Sequence, residues 1–219
     1  MPLLKPDATF YPSPRLAAQG PPEKLAYVAA LNPPESKNND AIIVVDLDPA
    51  SSTYCQEVGR CTLPNFGDEL HHFGWNACSS ALCPYAPHPH IERRYLIVPG
   101  IRSSRLYVID IKPNPREPTI VRTIEPEELM ARSGYSRPHT VHCGPDGIYV
   151  SALGSPRATD RAAFSCSIIS PSTFSGNGKS TEATNTCTTT SGGTCSMTPS
   201  SARNGAPRRW SKMACNRIC

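Results

Sequence analysis

Short β-branched runs, each cut off by proline or glycine, constrain this chain more than any other feature. Ala41-Ile42-Ile43-Val44-Val45-Asp46-Leu47-Asp48 is stopped by Pro49, and Tyr95-Leu96-Ile97-Val98 by Pro99. Arg105-Leu106-Tyr107-Val108-Ile109-Asp110-Ile111 is closed by Pro113, and Ile120–Ile124 and Gly147–Leu153 follow. Tyr27–Leu31 is an earlier run of the same kind. Runs of this length and composition, at roughly regular spacing, predict antiparallel strands joined by tight turns. With 24 Pro and 14 Gly in 219 residues, a long coiled coil is excluded. No apolar run approaches the roughly 20 residues that a bilayer-spanning helix requires, so no membrane span is expected. One helix is predicted at Glu125–Ala131, where Pro126 and three glutamates occupy the first turn.

A strand that ends in aspartate before a turn occurs twice. Ile43-Val44-Val45-Asp46 and Tyr107-Val108-Ile109-Asp110 lie 64 residues apart. This repeat fits the short four-stranded blades of a β-propeller, and it fits a generic β-sandwich as well.

Composition breaks near residue 156. Residues 1–156 carry 14 Lys+Arg against 16 Asp+Glu, whereas 157–219 carry 8 against 2, namely Asp160 and Glu182. The overall charge of +4 is therefore the sum of two unlike segments. The second is one-third Ser and Thr, contains no Leu or Val, and holds five of the ten cysteines. Such a segment cannot bury enough apolar surface to offset the entropy of ordering it, which predicts a disordered tail. It lacks the aromatic residues interleaved with basic ones that a single-strand binder needs, so no nucleic-acid partner is expected. Gly176-Asn177-Gly178-Lys179-Ser180 imitates the end of a phosphate-binding loop, but Thr173 stands where the first glycine belongs.

The histidines and cysteines cluster. Asp68-Glu69-Leu70-His71-His72-Phe73-Gly74-Trp75-Asn76-Ala77-Cys78-Ser79-Ser80 is one group, and Arg137-Pro138-His139-Thr140-Val141-His142-Cys143 is the other. Imidazole and thiolate are the ligands that suit copper or zinc. In a strand, adjacent His71 and His72 would face opposite ways. His139 and His142 could meet one metal from a turn or helix but not from a strand. Cys78 sits among Asn, Ala and Ser, which suggests an accessible loop thiol, although taken alone the pattern fits a buried inert cysteine better. Cys78, Cys83, His88 and His90 match no established zinc spacing.

The first of these groups closely resembles the DELHHxGWNxCSS signature of the selenium-binding protein family, whose members include methanethiol oxidases. Val45–Pro49, Tyr54-Cys55-Gln56, Leu63-Pro64-Asn65, Ser103–Asp110, Ile124-Glu125-Pro126 and His139–Cys143 match in the same order. The resemblance covers roughly residues 18–154. It implies an all-β fold, with this chain supplying the N-terminal two to three blades of a seven-bladed β-propeller. The implied activity is copper-dependent oxidation of methanethiol with O2 and water, giving formaldehyde, hydrogen sulfide and hydrogen peroxide. The implied partners are a small thiol substrate and O2. Cys78 matches the cysteine associated with selenium, while His71, His72, His139 and His142 match candidate copper ligands. The alternative is a non-catalytic selenium- or thiol-binding interaction module.

Family members continue after this point with a Gly-rich turn and a strand like G-G-x-F-L-L-D. Suitable codons for Arg157–Ile169, read from the last base of the preceding codon, permit G-D-G-P-G-G-I-F-L-L-D-H. Cys187–Thr194 permits Y-Y-D-F-W-W-H, and Asn204–Pro207 permits E-W-G-like residues. The expectation is therefore a reading-frame shift near residues 155–157. It divides the chain into an N-terminal extension (1–17), a partial propeller (18–156) and an out-of-frame tail (157–219). An open arc of blades leaves unpaired edges, so the truncated chain is expected to be inactive. Met1–Pro6 lacks the apolar core of a signal peptide, which predicts a cytoplasmic location, although some relatives are periplasmic.

Overall fold

The computed structural model describes residues 8–11, 13–33, 35–77, 92–144 and 147–154, together with the backbone of 165–169, 186–188 and 196–197. Nearly all regular structure is antiparallel β, and the strands fall into three sheets that follow chain order. The first sheet contains β1 (Leu25–Ala30), β2 (Ala41–Asp46) and β3 (Glu57–Thr62). The second has the order β4 (Gly74–Trp75), β5 (Tyr95–Gly100), β6 (Arg105–Asp110), β7 (Thr119–Ile124). The third runs from β8 (Ser136–Gly144) and β9 (Gly147–Gly154) to β10 (Ser165–Ile169), β11 (Thr186–Thr188) and β12 (Ser196–Met197). A single turn, α1 (Pro14–Ala17), precedes the first sheet, and α2 (Pro126–Ser133) links the second to the third. No helix among the described residues is long and apolar enough to cross a membrane.

Each β-branched run of the sequence coincides with a strand. Strands β3, β4 and β8, like β10 to β12, carried no such signal; the first three contain Gly, Arg, His and Pro, and they form because neighbouring strands offer ladders to them. The last three strands, β10 to β12, lie within the segment read as an out-of-frame tail, and β10 pairs with β9 from Ser165 opposite Ala152 to Ile169 opposite Ile148.

The two inner strands of the second sheet are buried on both faces, which accounts for the unbroken apolar runs of β5 and β6. Leu96, Val98, Tyr107 and Ile109 turn toward the first sheet and pack with Ile42, Cys61, Leu63 and Leu70. Ile97, Leu106 and Val108 turn the other way and meet Ile124, Leu129, Val141, Ile148 and Val150. Strand alternation thus supplies two cores from one pair of strands. Each fully buried Leu, Ile or Val contributes about 1.5–3 kcal/mol. Helix α2 begins at Pro126, carries Glu127 and Glu128 in its first turn, and inserts Leu129 into the second core. It stops at Gly134, whose φ of 74° lets its amide donate to the Met130 carbonyl at 2.8 Å.

The two strand-ending aspartates occupy equivalent places. Asp46 ends β2 and accepts the Asp48 amide at 2.9 Å, and Asp110 ends β6 and accepts the Lys112 amide at 3.0 Å. Both carboxylates are buried. Asp46 also accepts from the Ser51 and Thr53 hydroxyls at 2.7 and 2.6 Å. Asp110 takes a bidentate pair of bonds from Arg94 at 2.9 and 2.6 Å. The aspartate therefore closes the turn after its strand in both sheets.

Candidate metal centre

The site is built where the chain leaves the first sheet and enters the second. Residues 68–73 run along the end of β5 without forming a regular strand. The Arg102 amide donates to the Asp68 carbonyl at 3.1 Å, and the Ile101 amide to the Glu69 carbonyl at 3.0 Å. The His71 amide donates to the Pro99 carbonyl at 2.9 Å. The segment then turns toward the third sheet, where the His72 carbonyl accepts the Val141 amide at 3.0 Å. Glu69 has a φ of 53°, a left-handed conformation uncommon outside glycine. Because the segment is not pleated, the alternation expected of adjacent residues does not apply. The His71 and His72 rings converge, with centroids 4.6 Å apart and planes at 89°.

The third ring comes from β8. That strand is irregular: Pro138 faces Ala152 and Val141 faces Val150, so β8 uses one more residue than β9 over this stretch. Arg137, just before it, has a φ of 57°. The bulge aims His139 at the loop, 3.9 Å from His71 and 4.9 Å from His72 between ring centroids. His71, His72 and His139 each offer one ligand atom, and these atoms all lie within 4.8 Å of one another. The Nδ1 atoms of His71 and His72 are 3.3 Å apart. A tetrahedral cation with nitrogen ligands at 2.0–2.1 Å requires them to be separated by about 3.3 Å, so this pair fits a copper- or zinc-sized ion. His142 is on the same strand, exposed and opposite Tyr149, and it is not one of the three. Cys78, with Cys83, His88 and His90, lies outside the described residues.

The electrostatics favour neutral imidazoles. Burial pushes the His71 and His139 pKa values below the ordinary histidine value, and neighbouring rings push them further. The Glu69 carboxylate opposes this shift at His71. Ring nitrogens that stay unprotonated near neutral pH are the form that binds metal.

Two further residues of the site lie inside the two histidine-bearing groups of the sequence, but nothing in their spacing assigned them a role. Thr140 places its Oγ1 2.7 Å from His139 Nδ1 and 3.3 Å from His72 Nδ1. Asp68 anchors the loop from below: it is fully buried, and its Oδ2 accepts from the Tyr107 hydroxyl at 2.7 Å. The Tyr107 oxygen accepts in turn from Asn65 Nδ2 at 2.7 Å. Asp68 Oδ1 has no hydrogen-bond partner, and burial raises the pKa of this carboxyl. Both roles depend on a bulge or on a strand from another sheet, which residue spacing does not encode.

The family model described as 56 kDa selenium-binding protein matches residues 4–189. This chain belongs to that family. Selenium-binding protein 3 of Arabidopsis thaliana is 44% identical over 146 residues, which are 66% of this chain and 30% of the plant protein. A methanethiol oxidase of Danio rerio is 37% identical over 156 residues, 70% of this chain and 33% of the fish protein. Among solved structures, a hypothetical selenium-binding protein from Sulfolobus tokodaii is 56% identical with a TM-score of 0.70. That match covers 77% of this chain and 36% of the archaeal one. The chain thus spans about a third of the length of the curated relatives it matches. The match to residues 4–189 reaches past both limits of the 18–154 resemblance.

Proposed function

We propose that His71, His72 and His139 form part of the copper centre of a methanethiol oxidase built on a seven-bladed β-propeller. The observation that carries this reading is the convergence of three imidazoles, two from the loop before β4 and one from β8, with ligand atoms within 4.8 Å of one another. Kinship with methanethiol oxidases supplies the substrate, a small thiol, and the acceptor, O2. The balanced reaction takes methanethiol, O2 and water to formaldehyde, hydrogen sulfide and hydrogen peroxide. His71, His72 and His139 would hold the copper, which would supply a soft Lewis acid for a thiolate and a redox centre for O2.

The residues of this chain hold and orient. His71 and His72 are fixed by backbone bonds to β5 and β8, so the rings need little rearrangement to bind. Burial keeps His71 and His139 neutral, leaving lone pairs free for the metal. Glu69 stands close enough to His71 to act on its charge, and its carboxylate is paired with Arg102 at 2.7 Å. His142 ranks behind the other three as a ligand because it lies outside the cluster. Cys78 is proposed as the selenium- or thiol-binding residue on the family signature alone. The frame shift near residues 155–157 is likewise proposed from the codon pattern, and the chain as written is expected to lack turnover. Sequencing of the coding DNA decides the frame shift: it fails if no single-base change restores the family pattern.

Copper content after His→Ala substitution tests the centre. The 219-residue chain should take up copper, and His71→Ala, His72→Ala and His139→Ala should each lower its affinity by at least tenfold. His142→Ala should leave it within about twofold. Unchanged copper in all three cluster variants would sink the assignment. On the frame-restored protein, release of peroxide and sulfide from methanethiol should require copper. Thiol or selenium binding without that release would favour a non-catalytic module instead.

A further inference from the structure

We propose that two copies of this chain pack the outer faces of their first sheets together about a two-fold axis. An internal equivalence picks out the face. β1 and β2 pair from Leu25 opposite Asp46 to Ala30 opposite Ala41, and β5 and β6 pair from Tyr95 opposite Asp110 to Gly100 opposite Arg105. The strand that follows each pair slips register at the same place, between Val44 and Val45 and between Val108 and Ile109. The two sheets therefore correspond residue by residue, with Ala26 matching Leu96, Val28 matching Val98, Ile43 matching Tyr107 and Val45 matching Ile109.

In the second sheet these four positions are fully buried and face the first sheet. In the first sheet, Ala26, Val28, Ile43 and Val45 belong to neither apolar core of the described residues. Val28 is 43% exposed, and the other three are partly exposed. Tyr27, Ala29 and Ile42, on the opposite face, are the residues that pack toward the second sheet. Alternation thus leaves the first sheet an outward apolar face of the kind that receives a sheet elsewhere in this molecule. Exposed apolar surface rimmed by polar residues marks an association site.

Charge selects the occupant. Cross-strand neighbours share a face, and two rows cross this one: Ala26, Val45, Glu57 and Val28, Ile43, Arg60. Where the second sheet sets Ile120 and Thr123 opposite Ile109 and Tyr107, the first sets Glu57 and Arg60 opposite Val45 and Ile43. Arg60 and Glu57 pair with each other at 2.7 Å, and their side chains remain 47% and 40% exposed. A two-fold axis running across the strands between the rows lays Arg60 over Glu57 of the second copy. The same operation lays Val28 over the second copy's Ala26 and Ile43 over its Val45. Opposite charges then meet twice, and a large side chain meets a small one, so the face is complementary to itself. Three short strands make a small contact, which belongs to the weak, reversible class of interface. None of the histidines takes part, so the contact stands apart from the copper reading.

Sedimentation velocity of the metal-free 219-residue chain, over a dilution series from high to low micromolar, supplies the test. Wild type should pass reversibly from dimer to monomer on dilution. Val28→Glu sets an unpaired charge in the contact and should remain a monomer throughout. Glu57→Arg and Arg60→Glu each bring like charges together and should weaken association about tenfold. The double variant Glu57→Arg/Arg60→Glu restores opposite charges and should return to within about threefold of wild type. Val28, Glu57 and Arg60 are all exposed side chains, and unchanged urea midpoints separate lost association from lost fold. If Val28→Glu fails to fold, the three charge variants decide alone. A wild-type chain that stays monomeric overturns the proposal, as does a folded Val28→Glu dimer or a double variant that fails to recover. Assemblies larger than two copies, the product of unlike faces joined head to tail, overturn it as well.

Discussion

Tyr95 pairs with Asp110 at one end of the β5–β6 ladder, and Gly100 pairs with Arg105 at the other, about 17 Å away. The two ends use the same residue type in opposite ways. At the first, donors surround aspartate. The Arg94 guanidinium holds the Asp110 carboxyl below the usual range, and in the adjacent sheet Thr53, the Asp48 amide and Ser51 hold Asp46 at about 2. At the second, Asp68 has one hydrogen-bonded oxygen and one bare one, and burial raises its pKa. Three of the four non-glycine residues with positive φ among those described, Glu69, Ser104 and Arg137, are also at or beside this end. Ser104 and Arg137 are joined to each other by a bond from the Arg137 amide to the Ser104 hydroxyl at 3.0 Å. Strained backbone of this kind costs on the order of 1–3 kcal/mol per residue and persists only where surrounding structure imposes it. The aspartate end is satisfied and structural. The histidine end gives up stability to bring three like rings together.

The aspartate end tolerates being forced open least. Gly59 in β3 approaches the second sheet so closely that a Cβ would lie 1.7 Å from the Arg116 carbonyl oxygen. The same Arg116 sends its guanidinium to Asp46 Oδ2 at 3.4 Å, and the neighbouring Pro115 carbonyl accepts the Tyr27 hydroxyl at 2.9 Å. Gly59→Ala must displace backbone, with an expected loss of about 3 kcal/mol in urea unfolding. The matching change at the other end, His72→Ala, removes an exposed ring from a strained site and should cost less than about 0.5 kcal/mol. Equal losses would show that the two ends are not distinct.

Acid unfolding of the metal-free chain separates the two ends, because they lose stability in separate pH windows. Asp46 has a folded pKa of about 2, below its unfolded value of about 3.9. What it contributes is present above pH 4 and disappears as pH falls toward 2. His71 and His139 also have folded values below their unfolded value of about 6.5. Their contribution is present above pH 6.5 and is lost as pH falls from there. The unfolding midpoint should therefore fall in two stages. Asp46→Asn should flatten the lower stage only, and His139→Ala the upper stage only. A single stage abolished by either substitution would contradict the separation.

The legible parts of this molecule were those governed by local pattern. The runs at 41–48, 95–99 and 105–111 became strands because β-branched residues tolerate no other arrangement that buries both their faces. Pro126 and the glutamates marked the start of the helix through a fixed φ and the charge of its first turn, whereas the helix runs two residues past the expected end at Ala131, to Ser133. The strand-ending aspartates were visible as a repeat, and the structure gives the reason: each accepts the amide two residues on and so closes the turn after its strand. The histidines were visible as residue types, but their selection was not. His139 and His142 are three apart on one strand, and only the bulge decides that the first joins the site. His71 and His72 could both turn inward only because the segment between Leu70 and Gly74 is not pleated. Register shifts of one residue, which no spacing encodes, make the centre.

The smallest expected effect concerns Asp68, and its sign is opposite to that at Asp46. The folded pKa of Asp68 is raised, so the carboxyl favours its neutral form in the fold. Its contribution is present below the unfolded value of about 3.9 and is lost as pH rises through the folded value. Asn has the same shape, never ionises, and keeps an acceptor for the Tyr107 hydroxyl, which holds the end of the histidine loop. Asp68→Asn should therefore match wild type near pH 4. Above that it should become the more stable of the two, by no more than about 1 kcal/mol at pH 7. The same substitution at Asp110 should destabilise, because there the charge is what Arg94 binds through two bonds. Urea midpoints of both variants at pH 4 and pH 7 supply the check. If Asp68→Asn loses stability as pH rises, the buried carboxyl is held as an anion by partners, and the contrast between the two ends of the sheet disappears.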